Sequence, residues 1–319
     1  MIVEYPEYYS RFSCIADKCP DTCCQGWEID IDEETWNKYK AVDGELGEKL
    51  KKYMKEENGC RFFKMREDGY CAFLREDNLC QLQRQFGEDY LGVICSEHPR
   101  YFVECGNYVQ QDISLACPEM ARIFFSESGN IAYCFEMYED ETDEEDIDTE
   151  LRDRILDDRN RIIDIMENEP GTFMERLKAA GIFREIDDRE LMEMADRMEP
   201  INDAWVKRLE HMKKWLAENT DEGQFSSGIP DEWYTRLTCY FVFRYWIDSY
   251  FEKDEEEELD LTAEIMLVNY CLRLITIMYL ANDEKKFATE MDRMIDTAYI
   301  FSREVEFDED IVNMLKGLE

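Results

Sequence analysis

A chain of 319 residues with 76 acidic and 37 basic side chains carries a formal net charge of -39. Such a surface repels nucleic acid and the anionic inner face of a membrane, and it attracts a basic or lysine-bearing partner. Hydrophobic residues make up 45% of the chain, enough for a sizeable core in one large or two ordinary domains, yet no apolar run approaches the roughly 20 residues that span a bilayer.

The opening, MIVEYPEYYSRF, has neither the basic nor the apolar region of a secretory signal, so a cytoplasmic location is expected. In a reducing compartment an odd total of 13 cysteines argues against a disulfide framework. Four of them, Cys14, Cys19, Cys23 and Cys24, crowd into CIADKCPDTCC.

After this stretch, DIDEETWNKYKAVDGELGEKLKKYMKEE reads as one helix or two. Asp32 is the N-cap, with acids in the first turn and lysines late, as the helix dipole favours. Asn58-Gly59 and Asp68-Gly69 are turn dipeptides between short aromatic runs, predicting a small hairpin that carries Cys60, Cys71 and Cys80 near its turns. A second strand pair is predicted in RYFVECGNYVQQDISL, followed by a helix opening at Pro118-Glu119. Eleven of the 13 cysteines fall before residue 135, which marks residues 1–138 as a cysteine-rich metal- or cluster-binding domain.

Residues 139–150, EDETDEEDIDTE, hold nine acids and no base, and read as a linker or a solvated helix start. From 151 to 319 the pattern is helical. Leu151, Ile155, Ile162, Ile163 and Met166 recur at helical spacing, and Pro230 stands at the first position of a later helix. The fold expected is therefore mainly α: a cysteine-rich N-terminal region with short β-hairpins, then a C-terminal helical bundle.

Thiolates are soft, charged donors suited to zinc and iron–sulfur clusters, and four suffice for either. The ordered set is Cys14, Cys19, Cys23, Cys24, Cys71, Cys80, Cys95 and Cys117. Its spacing is not that of a zinc knuckle, since no C-x2-C occurs. Nor is it the C-x3-C-x2-C of radical enzymes, because Gly26 stands where the third cysteine belongs. Neighbouring cysteines rarely bind one ion, so one of Cys23 and Cys24 serves a different centre, or neither does. Cys239 and Cys271 lie in apolar helical stretches and read as core residues.

The blocks FSCIADKCPDTCCQGWEIDIDEETWNKY, CAFLREDNLCQLQRQFGEDYLGVICSEHPR and SLACPEMAR, with the closing YIFSREVEFDEDIVNML, resemble the flagellin lysine-N-methylase family. That family is related to cysteine-motif proteins regarded as zinc- or iron-chelating. The resemblance implies methyl transfer from S-adenosylmethionine to lysines of flagellin, with a cysteine-ligated iron–sulfur cluster of the 4Fe-4S type; zinc is the alternative metal. Outside the recognised blocks, Cys60, Cys105 and Cys134 are read as core thiols.

The chain has no Gly-x-Gly among its 14 glycines, so a Rossmann-type donor site is not expected. Arg100 can take the donor's carboxylate bidentately, and Trp27 and Glu119 in the same blocks complete the donor-binding candidates. Lysine, with a pKa of about 10.4 in water, needs desolvation or a base. Within CYFVFRYWIDSYF, Tyr240, Tyr245, Trp246 and Asp248 supply aromatic walls and proton acceptors, although such a stripe packs a core before it serves a site. Tyr245, Asp248 and Arg303 are the catalytic candidates, Arg303 on the family match alone. His98, close to Cys95, reads as a structural histidine before a ligand. The alternative to an enzyme is a zinc- or iron-binding module whose helices serve as a protein-interaction domain.

Overall fold

The structure is a computed structural model that describes residues 1–139, 147–201, 203–219, 224–225, 228–252 and 259–318. Its strands are β1 (Ile2–Pro6), β2 (Ile29–Asp30), β3 (Met54–Glu57), β4 (Cys60–Phe63), β5 (Arg100–Cys105), β6 (Tyr108–Ile113) and β7 (Tyr133–Met137). Between them lie α1 (Glu33–Lys40), α2 (Gly44–Tyr53), α3 (Gln81–Phe86), α4 (Val93–Glu97) and α5 (Pro118–Ser126). The remainder is helical: α6 (Thr149–Asn168), α7 (Phe173–Ala179), α8 (Asp188–Arg197), α9 (Asp203–Glu218), α10 (Asp231–Tyr245), α11 (Ser249–Glu252), α12 (Thr262–Ala281), α13 (Glu290–Val305) and α14 (Glu309–Lys316). The protein is mainly α, with its small sheets and most of its cysteines in the N-terminal region.

Local signals account for much of this. The Asp32 carboxylate accepts the Thr35 N–H at 2.8 Å and starts α1. Asn58 and Gly59 have φ of 51° and 87°, the left-handed pair that a tight turn between β3 and β4 requires. Pro230 lies one residue before its expected place. It precedes α10 in extended conformation, and its carbonyl accepts the Trp233 N–H at 3.0 Å.

The predicted hairpin β5–β6 is half of a larger sheet. The order is β5-β6-β1-β7, with β1 parallel to β6 and antiparallel to β7. A second sheet has the order β2-β4-β3. The parallel pair sets Ile2 opposite Tyr108, a pairing with no turn between its strands and hence no local signature.

The buried side chains form two cores. The larger joins Tyr8, Ile113 and Phe124 to Ile155, Trp205, Phe241, Leu272 and Phe301 of the helices. Burial of each such side chain contributes about 1.5–3 kcal/mol. The smaller core contains Ile29, Trp36, Leu50, Phe63, Cys71 and Phe73. Within the acidic stretch 139–150, residues 140–146 lie outside the described residues, and α6 begins at Thr149 behind the Asp148 cap.

Helix α12 is long and apolar enough to cross a membrane by length and composition, although Glu264, Asn269 and Arg273 interrupt its apolar run. Most of it is buried within the protein, packed against α9, α10, α13 and α14. It also carries Glu264, Asn269 and Arg273, all buried; Asn269 bonds the Ile182 carbonyl and Arg273 pairs with Asp188.

Candidate functional site

Seven of the eight cysteines of the recognised blocks fall into two neighbourhoods. Cys71 lies in the smaller core, and Cys24, Cys80 and Cys95 pack against that same core. The backbone holds them there. The Cys71 N–H donates to the Cys24 carbonyl at 2.8 Å, and Leu74 is bridged to Cys80. The Asp32 carboxylate accepts the Val93 N–H at 3.1 Å and so ties α4, which bears Cys95, to the start of α1. Burial pushes the Cys71 thiol up to about 11, with the Cys80 sulfur adding to the effect, and raises Cys95 well above the usual thiol range, helped by Cys71 and Cys80.

Cys14 and Cys19 flank the short helical turn Ala16–Lys18, where the Cys19 N–H reaches the Ala16 carbonyl at 3.0 Å. Cys117 stands immediately before α5 and packs against the larger core. Burial raises its thiol to about 12, and the nearby Cys19 and Cys14 add to the rise. Cys23 lies between the two neighbourhoods. A hydrogen bond from Cys24 holds its thiol down to about 7, with the Arg303 guanidinium contributing, while Cys24 is raised far above the usual range by giving that hydrogen bond and by burial. All 13 cysteines are free thiols. Among the described residues, no three His, Cys, Asp or Glu side chains stand as ligands around one ion position.

The cysteine loop meets the helices at the C-terminal end of α13, where consecutive side chains reach different parts of the protein. Ser302 Oγ lies 3.0 Å from Ser114 Oγ, which follows β6. Arg303 pairs with the Asp21 carboxylate and reaches the Gln25 carbonyl at 3.3 Å. Glu304 accepts the Ile201 N–H at 3.0 Å. Phe307 packs 5.9 Å from the Trp27 ring and 5.4 Å from His98. Trp27 itself lies 5.8 Å from His98 and donates Nε1–H to the Cys23 carbonyl at 2.9 Å. Burial, then Arg303, lowers His98 to about 4, so this ring is neutral at pH 7.

Glu306 opens a buried polar network. Its Oε2 accepts the Tyr240 hydroxyl at 2.8 Å and the Tyr245 hydroxyl at 3.1 Å, and it lies 2.9 Å from Arg244 Nε. Arg244 also faces Asp112 at 3.8 Å and stands 4.0 Å over the Tyr101 ring. Asp112 is fully buried, which raises its carboxyl to about 7 against the pull of Arg244. One oxygen each of Asp112 and Glu306 has no hydrogen-bond partner.

The predicted site residues are thus distributed over several places. Trp27 and Arg303 share the seam beside Cys23. Tyr245 belongs to the Glu306 network, while Asp248, three residues past the end of α10, pairs with Lys316 at 3.1 Å. Trp246, fully buried, donates Nε1–H to Asp158 at 3.1 Å. Glu119 pairs with Arg122 one turn on, at 2.6 Å. Arg100 lies over the Tyr9 and Phe12 rings, at 5.4 and 5.3 Å. It lines a cleft of about 400 Å³ with Tyr5, Tyr9, Glu136 and Tyr138. Cys239, Cys271 and Cys105 are core residues as expected, whereas Cys60 is exposed on β4 and Cys134 is half-buried on β7. Both lie on short strands of small sheets, where half the side chains face outward.

Sequence reasoning missed Asp21, Arg244, Glu306 and Asp112. Asp21 and Glu306 carried a signal, since both lie within recognised blocks, and Arg244 lies within the quoted aromatic stretch CYFVFRYWIDSYF. Neither sheet alternates with helices in the manner of a Rossmann fold, consistent with the absence of Gly-x-Gly.

Over 124 residues, 37% of this chain, the sequence is 32% identical to the flagellar biosynthetic protein FliU of Salmonella muenchen, covering 73% of that protein. The chain belongs to the flagellin lysine-N-methylase family. Over a stretch of the same length it is 33% identical to the lysine-N-methylase of Salmonella typhimurium and 32% identical to that of Salmonella choleraesuis. The matched stretch spans 31% of the length of each of these methylases. No family model matches the methylase-family chain, and no solved structure does.

Proposed function

We propose that this chain transfers a methyl group from S-adenosylmethionine to lysine ε-amines of flagellin, and that it carries a cysteine-ligated iron–sulfur cluster of the 4Fe-4S type. The observation behind the reading is its likeness to proteins named lysine-N-methylase and to a flagellar biosynthetic protein. The eight free thiols of the recognised blocks are soft donors of the kind that hold such a cluster, and among the described residues no three of them stand around one ion position. When bound, the cluster supplies a Lewis-acidic centre with thiolate ligands.

The chain's own residues supply the rest. The acidic surface draws in a lysine-bearing partner. Arg100 offers a bidentate guanidinium to the donor's carboxylate, and the Trp27, His98 and Phe307 rings offer aromatic faces to its sulfonium. In the transfer, the amine lone pair forms the N–C bond as the C–S bond breaks. The sulfonium leaves as a neutral thioether, and the ammonium proton passes to a base. Tyr245, with Glu306 behind it, and Asp248 are the proton-accepting candidates.

The test is to incubate oxygen-protected protein with flagellin and isotopically labelled S-adenosylmethionine, then locate label by peptide mass spectrometry. Label on lysine nitrogens supports the proposal. A fully metal-loaded protein that leaves flagellin unlabelled removes it.

A further inference from the structure

Strand β7 is an edge of the four-stranded sheet, and among the described residues no strand pairs with its far side. Its inner side is fixed by β1. Met1 and Tyr138 exchange both backbone hydrogen bonds at 2.9 Å, and Val3 lies opposite Glu136 two positions on. Such pairs alternate along an antiparallel ladder, so Phe135 and Met137 turn their N–H and C=O groups outward. These two are also the bare apolar side chains of the strand, Phe135 at 61% and Met137 at 85% exposure. A five-residue edge strand with one charge and two exposed apolar side chains is a template for a further strand.

The two faces of β7 call for different side chains in that strand. Tyr133, Phe135 and Met137 share the helix-facing side, where the Tyr133 ring packs 4.9 Å from Phe243. Cys134, Glu136 and Tyr138 share the other side. There Glu136 accepts the Tyr5 hydroxyl at 2.7 Å and the Tyr138 hydroxyl, and with both tyrosines it lines the cleft of about 400 Å³. These hydrogen bonds, from Tyr138 and then Tyr5, hold the Glu136 carboxyl below its ordinary value, so it is charged at pH 7. A residue added opposite Glu136 stands about 4.5 Å away, Cα to Cα, and points to the same face, while its two neighbours face Phe135 and Met137. A cation suits the first position, beside a carboxylate and two phenol rings, and apolar residues suit the other two.

We propose that β7 takes an extended segment of a partner protein as a fifth strand, an apolar–Lys–apolar run whose lysine meets Glu136 beside Tyr5 and Tyr138 and whose apolar residues cover Phe135 and Met137. Charge decides the occupant. Nine acids follow the strand in residues 139–150, and the whole chain stands at -39, so a basic segment is drawn to this edge. A second copy of the chain is repelled by the same charge, and its own β7 brings another Glu136 to the edge. The inference rests on the proposed function for the class of partner, a lysine-bearing protein, but the docking itself needs no methyl transfer.

The experiment measures, by fluorescence anisotropy, binding of the full chain to a fluorescein-labelled peptide, Gly-Thr-Val-Lys-Val-Thr-Gly, and to the same peptide with Gln for Lys. Wild type is expected to prefer the lysine peptide, and Glu136→Gln to remove about fivefold of that preference. Glu67→Gln, at an exposed turn after β4, controls for net charge and should leave the preference unchanged. Met137→Pro deletes an outward N–H without touching the ladder to β1, and should weaken both peptides about fivefold. The double substitution Phe135→Ser, Met137→Ser replaces it if circular dichroism shows that the proline unfolds the protein. Wild type that binds neither peptide, or both equally, overturns the proposal, as does a Glu136→Gln variant that keeps the full preference or an edge variant that binds like wild type. Dimers in sedimentation velocity that Met137→Pro dissolves assign the edge to a second copy and also overturn it. The flagellin labelling assay is read separately. Label on flagellin from a protein that ignores the peptides removes the docking site alone, and peptide binding without label removes the methyl transfer alone.

Discussion

Arg303 on α13 pairs with Asp21 in the cysteine loop, across 282 positions of chain. Arg303 is 9% exposed, and its second contact is the Gln25 carbonyl in the same loop. The residue therefore fixes the cysteine loop against the helices, whatever else it does. Arg303→Ala is expected to cost about 2 kcal/mol, because it leaves the Asp21 carboxylate half-buried without its partner. Urea unfolding of Arg303→Ala, Asp21→Asn and the double variant checks this. The cycle should show a coupling of about 1–2 kcal/mol, and additive losses would show that the pair is idle.

Gly26 sits at φ 87°, and a Cβ there would lie 2.1 Å from the Ile201 side chain. A cysteine at this position, as a radical-enzyme motif would require, has no room. Gly26→Ala should cost about 2 kcal/mol or more, part of it backbone strain of about 1–2 kcal/mol and the rest the collision with Ile201. Adding Ile201→Ala should recover the collision but not the strain. Thermal unfolding of the three variants separates the two contributions.

Arg244 is the cation of the buried network that contains Glu306, Asp112, Tyr240 and Tyr245. Arg244→Met should destabilise by about 3–5 kcal/mol, since it strands two buried carboxyls. Combining it with Glu306→Gln should return part of that loss. If the single substitution proves neutral in a denaturant titration, the network contributes nothing to folding.

Glu264 is 1% exposed, and burial raises its carboxyl to about 7 despite the nearby Lys316, with Glu252 and Asp248 adding to the rise. The folded protein keeps this proton where the unfolded chain releases it, at about 4.3. The group's contribution is therefore fully present at low pH and declines as pH rises to about 7. Relative to wild type, Glu264→Gln should gain about 3 kcal/mol between pH 4.5 and pH 7.5. Parallel stability profiles for the two proteins would show that Glu264 ionises normally.

Local chemistry made most helices, the Asp32 cap, the Asn58-Gly59 turn and the β5–β6 hairpin legible, because each depends on residues within a few positions of one another; Met54–Glu57, read as the end of a helix, is instead strand β3, and Cys71 and Cys80 lie outside the β3–β4 hairpin. The four-stranded sheet was not legible, since β1 meets β6 more than 100 residues away and without a connecting turn. The cysteines were visible as a set, but their division was not. For five of them it follows the cores: Cys71 belongs to the smaller, on which Cys24, Cys80 and Cys95 pack, and Cys117 packs on the larger. In the FSRE segment the sequence marked the right residues without showing why they occur together. One helix end spreads them toward Ser114, Asp21, Ile201 and Arg244.

The most direct measurement is X-ray absorption at the iron and zinc edges of freshly prepared, oxygen-protected protein. A metal shell of sulfur alone, with iron–iron scattering for the cluster, is the expected result. A first shell of oxygen and nitrogen, or protein that binds neither metal when both are supplied during expression, would contradict the gathering of these thiols around an inorganic core.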